Sequence, residues 1–205
     1  MNKALSSTDI LAKKYKLFEF DGDFYEAFSQ PETSGTWFIW GNSGSGKTNF
    51  LLQLIKELSN FGRVLYNSLE EGDAHTMQEA WQRNRMQDCG RRVQLICEPV
   101  EMLRERLKKH QSANIVVIDS FQYTFLGFNE YLKLKTEFPR KLFIYNSQCD
   151  GKNPMGKAAI RVMYDASLKI WVEGYKAFSK GRYIGPNGGE YVIWDEGAAK
   201  YWGTE

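Results

Sequence analysis

From residue 36 onward the apolar residues of this 205-residue chain follow two alternating rhythms. Short, nearly unbroken apolar and aromatic runs occupy 36–40, 63–68, 92–97, 114–118 and 141–146, the lengths expected of strands. Between them, segments at 47–60, 74–88, 99–110 and 129–138 carry apolar residues at helical spacing, as in Phe50, Leu51, Leu54, Ile55 and Leu58. Ile115-Val116-Val117-Ile118 has no polar face, as befits a strand covered on both sides in a parallel sheet. The alternation predicts an α/β fold with a mostly parallel central sheet and helices on both faces. After Gly156 the rhythm changes. Runs at 167–173, 175–179 and 190–194 are separated by turns, among them Gly185-Pro186-Asn187-Gly188-Gly189, and read as antiparallel strands extending the sheet. Residues 1–35, helical near 9–16 and punctuated by Pro31 and Gly35, form a lead-in that can serve as a subunit contact; 36–205 form one domain.

Composition narrows the function classes. Hydrophobic residues make up 42% and charged residues 25%, enough for a packed core and too ordinary for wholesale disorder. A net charge of +2 does not by itself argue for nucleic acid, so that case must rest on local clusters. Cys89, Cys97 and Cys149 are odd in number and widely spaced, which fits neither a disulfide framework nor a metal site and suits a reducing cytoplasm. The start Met1-Asn2-Lys3-Ala4-Leu5-Ser6 lacks the apolar run of a signal peptide, and no stretch approaches membrane-spanning length, so a soluble protein without a membrane partner is expected.

Gly41-Asn42-Ser43-Gly44-Ser45-Gly46-Lys47-Thr48, with Asn49 following, matches G-x-x-x-x-G-K-[ST] without a mismatch and lies between a strand and a helix. That context makes it a phosphate loop. Its glycines let backbone N–H groups converge on phosphate oxygens, and the helix start adds unpaired donors and a positive dipole end. Lys47 is expected at the β- and γ-phosphates of ATP and Thr48 at a Mg²⁺ ion.

Two further strands end in carboxylates. Asp119 closes the apolar run 114–118 in the manner of a Walker B element and is expected to hold Mg²⁺. The run 63–68 leads into Leu69-Glu70-Glu71, where a carboxylate can orient and deprotonate the water that attacks the γ-phosphate. Glu70 is the first choice and Glu71 the second, while both acids also suit the start of the following helix.

Phosphate loop, Ser68-Leu69-Glu70, Ile118-Asp119-Ser120 and Asn146-Ser147-Gln148, in that order, resemble the core of the RecA superfamily, which includes RecA and RadA recombinases, DnaB-type helicases and KaiC-type ATPases. The resemblance covers about 36–195. It implies that Glu70 activates water and that Gln148 senses the γ-phosphate. Ser179-Lys180-Gly181-Arg182 is similar to the Lys-x-Arg hairpin whose cations reach a neighbouring subunit's nucleotide. It implies a homo-oligomeric ring or filament. Lys180 and Arg182, one residue apart, are expected on one face of a strand.

The loop after Gln148 carries Lys152 and Lys157, with Arg161 beyond, where recombinases and ring helicases have a mobile DNA-binding loop. Phosphate contacts from these cations, and base stacking on the aromatic segment 121–128, would serve single-stranded DNA. Compact cores of this kind resemble phage recombination ATPases that work with single-strand annealing or binding proteins, which would place the chain in a bacterial host cytoplasm. The readings carried forward are a DNA-stimulated ATPase of recombination, repair or replication, a KaiC-type assembly module without DNA, and a DnaB-like helicase motor. Phe24-Tyr25-Glu26-Ala27 resembles the Phe-x-x-Ala polymerisation motif of eukaryotic-type recombinases.

Overall fold

Residues 4–203 are described by a computed structural model. The lead-in holds two short helices, α1 (Ser7–Leu11) and α2 (Gly22–Phe28). The alternating region follows in the expected order: β1 (Gly35–Gly41), α3 (Lys47–Leu58), β2 (Val64–Ser68), α4 (His75–Arg83), β3 (Val93–Ile96), α5 (Val100–Leu107), β4 (Ile115–Asp119), α6 (Phe128–Glu137) and β5 (Leu142–Ser147). A two-strand ribbon, β6 (Cys149–Asp150) with β7 (Asn153–Pro154), precedes α7 (Lys157–Asp165), β8 (Leu168–Glu173), β9 (Lys176–Ser179), β10 (Glu190–Val192) and α8 (Asp195–Trp202).

Eight strands form one sheet in the order β10-β9-β8-β1-β5-β4-β2-β3. β1 pairs parallel with β5 and with β8, and β4 and β2 continue the parallel block. β8 pairs antiparallel with β9, and β9 with β10, so the C-terminal strands extend the sheet by antiparallel pairing as expected, while β8 also joins the parallel block through β1. The reason is α7, which returns the chain to the start of the sheet before β8 begins.

The pleat divides the core in two. Trp37, Ile39, Val117 and Ile144 face one layer with α2, α3 and α4; Phe38, Trp40, Val116 and Tyr145 face the other with α5, α6 and α7. Each fully buried large apolar side chain contributes about 1.5–3 kcal/mol, so both faces anchor the sheet. Phe24 stacks on Tyr191 at 4.7 Å between centroids, and Ala27 is buried, so these two residues serve the chain's own core. The expected helix at 74–88 ends at Arg83, and a 3₁₀ segment at Met86–Arg92 with an interruption at Gly90 takes over. The expected helix near 9–16 is instead the shorter α1, closed at Ser6 by a capping box with Asp9.

Register sets up the site. Ser68, Asp119 and Asn146 are direct neighbours across β2, β4 and β5, all at the carboxyl ends of parallel strands. Such an edge is where ligands bind in open α/β sheets.

Candidate functional site

Above that edge lies a cleft of about 860 Å³ whose lining includes Asn42, Lys47, Thr48, Glu70, Asp119 and Gln148. The phosphate loop leaves β1 and turns into α3. Gly44 and Gly46 take positive φ, 75° and 98°, so the loop can curl with its N–H groups inward. Gly46 caps α3, whose first residues are Lys47 and Thr48. Lys47 Nζ donates to the Asn42 carbonyl at 2.7 Å, across the loop. Burial pushes the Lys47 ammonium below its ordinary pKa, opposed by Cys149, Asp119 and Glu70.

Asp119 is the buried charge of the site. Its Oδ1 accepts from Asn146 Nδ2 at 2.6 Å, and its Oδ2 accepts from the Tyr66 hydroxyl. Burial pushes its carboxyl above the ordinary range, while the two hydrogen bonds pull it back. The Asp119 backbone carbonyl accepts from Leu69 N at 2.5 Å and from Glu70 N at 3.3 Å, so β4 fixes the turn that presents Glu70.

The two adjacent acids part company. Glu70 Oε1 accepts from Gln148 Nε2 at 2.9 Å across the cleft. Glu71 accepts from the Thr76 hydroxyl at the start of α4, a helix-start role.

A bound nucleotide with Mg²⁺ fits these residues. Two buried polar atoms here, Ser45 Oγ and Asn146 Oδ1, have no partner in the protein. The described residues hold no cluster of three or more His, Cys, Asp or Glu suited to a metal, so a cation would be shared by Thr48, Asp119 and phosphate oxygens.

Several residues in or behind the cleft carry no motif. Tyr66 sits in an apolar strand, and its need for a buried partner was the one available signal. Arg83 donates to Asn49 Oδ1 at 3.3 Å, bringing the end of α4 to the start of α3. Tyr175, at φ 60° in the β8–β9 turn, donates its N–H to the Ser45 carbonyl at 3.1 Å and lines the cleft. It was expected to begin a strand. The Cys149 thiol donates to Asn42 Oδ1 at 3.0 Å.

Lys180 and Arg182 are elsewhere. β9 ends at Ser179, so neither cation lies within a strand. The chain still follows β8, with Lys180 N donating to Lys169 O at 2.7 Å and Arg182 N to Ser167 O at 3.2 Å. A Cβ at Gly181 would lie 2.9 Å from Lys169 N and Ser167 O, an approach closed to any other residue. Ser167 precedes the start of β8, whereas the phosphate loop adjoins its end. Six residues of strand separate them by about 20 Å.

Of the loop cations, Lys152 and Lys157 are exposed, and the Lys152 carbonyl accepts from Trp40 Nε1 at 3.0 Å. The Arg161 guanidinium lies over the Phe128 ring at 4.1 Å. In the aromatic segment Phe121 is buried, but Tyr123 and Phe125 are exposed, Phe125 at 92%.

No protein-family model and no curated protein matches the chain. Solved structures do. The flagellar accessory protein FlaH from Methanocaldococcus jannaschii superimposes with a TM-score of 0.58 at 12% identity, covering 88% of this chain and 92% of that one. The KaiC-like protein PH0186 from Pyrococcus horikoshii OT3 does so with a TM-score of 0.58 at 19% identity, covering 82% and 94%. At these identities the likeness concerns the fold, which is RecA-like.

Proposed function

We propose that this chain is a Mg²⁺-dependent ATPase that completes its active sites at junctions between copies of itself and couples turnover to single-stranded DNA. The observation that carries the reading is the Glu70–Gln148 hydrogen bond beside Lys47 and Asp119 in the phosphate-loop cleft. It brings two carboxylates, one of them buried, a neutral amide and a cation to one pocket.

The loop N–H groups and Lys47 bind the phosphates, Lys47 exchanging the Asn42 carbonyl for phosphate oxygens. Bound Mg²⁺ neutralises phosphate charge, and Thr48 and Asp119 would hold it. Glu70 takes the proton of the attacking water, with Gln148 fixing the carboxylate's orientation. Gln148 is also the strand-end amide from which β6 and β7 depart, so a γ-phosphate that competes for it would shift the loop bearing Lys152 and Lys157. Arg83 and Tyr175, at the α3 end of the cleft, are suited to the base. Arg182 lies too far from its own phosphate loop to act there, which supports a role in a neighbour's site.

ATP turnover with and without single-stranded DNA, at two salt concentrations, tests the reading. Stimulation that weakens with salt is expected. Turnover indifferent to DNA would favour the KaiC-type module, for which the likeness to a KaiC-like structure speaks.

A further inference from the structure

A second open groove lies away from the nucleotide cleft. It has a volume of about 930 Å³ and runs along the opposite edge of the sheet, where β1, β2, β4 and β5 begin. Its walls carry Lys14, Lys16, Lys108, Lys109, Arg140 and Lys141 against two carboxylates, Glu32 and Glu137. On a chain of net charge +2 this is a marked concentration.

The carboxylates do not cancel it. Glu137 already pairs with Arg104 and, at 3.9 Å, with Lys108. Glu32 accepts from the neutral Tyr183 hydroxyl at 3.4 Å and keeps its charge, one carboxylate against the larger number of cations. Lys141 serves the fold, donating to Ser112 Oγ at 2.8 Å and the Ala113 carbonyl at 2.6 Å. Lys14, Lys16, Lys109 and Arg140 are exposed and have no ion pair among the described residues. Four cations held along one concavity without partners are an anion track.

The rings decide which anion. Tyr15 and Phe61 line the same groove and are 50% and 41% exposed. Phe61 is held edge-on against Phe18 and Phe20, so its position is set from within. Cations that track a backbone, with aromatic faces beside them, suit single-stranded nucleic acid, whose bases are free to stack. A duplex offers the phosphates but hides the base faces, and the carboxylates of an acidic polypeptide offer charge without an aromatic face to stack.

We propose that this groove binds single-stranded nucleic acid, with Lys14, Lys16, Lys109 and Arg140 on phosphates and Tyr15 and Phe61 against bases. It is a site separate from the loop at 149–157 and requires neither nucleotide nor that loop.

The test uses a fluorescein-labelled oligothymidylate, with anisotropy read without nucleotide over a salt series. Replacing Lys14, Lys16, Lys109 and Arg140 together by Ala should weaken binding at least about 10-fold and flatten the logarithmic salt slope by about 3. Replacing the three lysines by Arg should keep binding within about 3-fold, since the charge contacts remain. An iododeoxyuridine oligonucleotide irradiated with the unaltered chain should crosslink to Tyr15, and should still do so after Lys152→Ala and Lys157→Ala. Loss of DNA-stimulated turnover from those loop changes leaves this result untouched, so the two sites fail separately. Unaltered affinity in the four-Ala chain, loss of binding in the Arg chain, crosslinks confined to the 149–157 loop, or polyglutamate of equal charge displacing the oligonucleotide as well as unlabelled oligothymidylate does would each overturn the proposal.

Discussion

Gln148 donates its side-chain amide to Glu70 at 2.9 Å, joining the end of β5 to the turn after β2 across the nucleotide cleft. The same turn holds Glu71 against Thr76, so two neighbouring acids of identical chemistry stand in different environments.

Glu70→Gln should therefore bind ATP normally and turn it over about 10²–10⁴-fold more slowly, because the amide keeps the shape and cannot take a proton. Glu71→Gln should stay within a few-fold of the original rate. Single-turnover hydrolysis alongside binding of a fluorescent nucleotide reads both. A dead Glu71→Gln beside an active Glu70→Gln would transfer the role by one residue.

Lys47→Ala should remove nucleotide binding by about 2–5 kcal/mol, the cost of losing one partner of a desolvated charge contact. Titration calorimetry with ATP and Mg²⁺ measures it. Ordinary binding in a folded variant would end the nucleotide assignment.

Asp119→Asn should separate activity from stability. Burial raises the Asp119 carboxyl above the usual 3.8, so the folded chain holds its proton more tightly than the unfolded chain does. The penalty of the buried charge is absent below pH 3.8, grows as pH rises towards the raised value, and is complete above it. At neutral pH the amide should then melt higher, by about 2–4 °C for each kcal/mol gained, while Mg²⁺-dependent turnover is lost. At pH below 3.8 the difference in melting temperature should close. A variant that melts lower at neutral pH would contradict the burial argument.

Much of this site is legible from the chain itself. Gly41 to Thr48, Glu70, Asp119 and Gln148 each follow a strand, and a parallel sheet delivers all such ends to one edge. Other parts depend on tertiary contact. Tyr66 is indistinguishable from a core tyrosine until β4 places Asp119 beside it. Tyr175 follows apolar residues and suggests a strand start, yet with Gly174 it forms the two-residue turn that meets Ser45. α8 escaped notice because Trp194 and Tyr191 suggest a strand, and Gly197, which ordinarily weakens a helix, fits under the Trp194 ring.

Mixing two inactive chains tests whether sites form between copies. Arg182→Ala retains Glu70, and Glu70→Gln retains Arg182, so only a mixed junction unites the two intact groups. The mixture should recover activity that neither chain has alone, and activity of the unaltered chain should rise more steeply than its concentration. Arg182 is exposed, so its loss should alter stability by about 0–1 kcal/mol. A mixture as inactive as its components, with linear concentration dependence, would place the whole site within one copy.

The β8–β9 hairpin touches the Ser45 carbonyl with Tyr175 at its tip, and its other end leads into Lys180 and Arg182. β8 is paired with β1 along its length and β9 with β10, so the hairpin is a stiff part of the sheet that connects its two ends rigidly. One end rests on the phosphate-loop motif of this copy, and the other leads to an exposed arginine. Under the proposed arrangement, this rigid connection would make the position of the arginine in the next copy's site depend on how the phosphate loop of a loaded copy sits. Events in the assembly would then follow one another in order round the ring or along the filament, with no separate timing part.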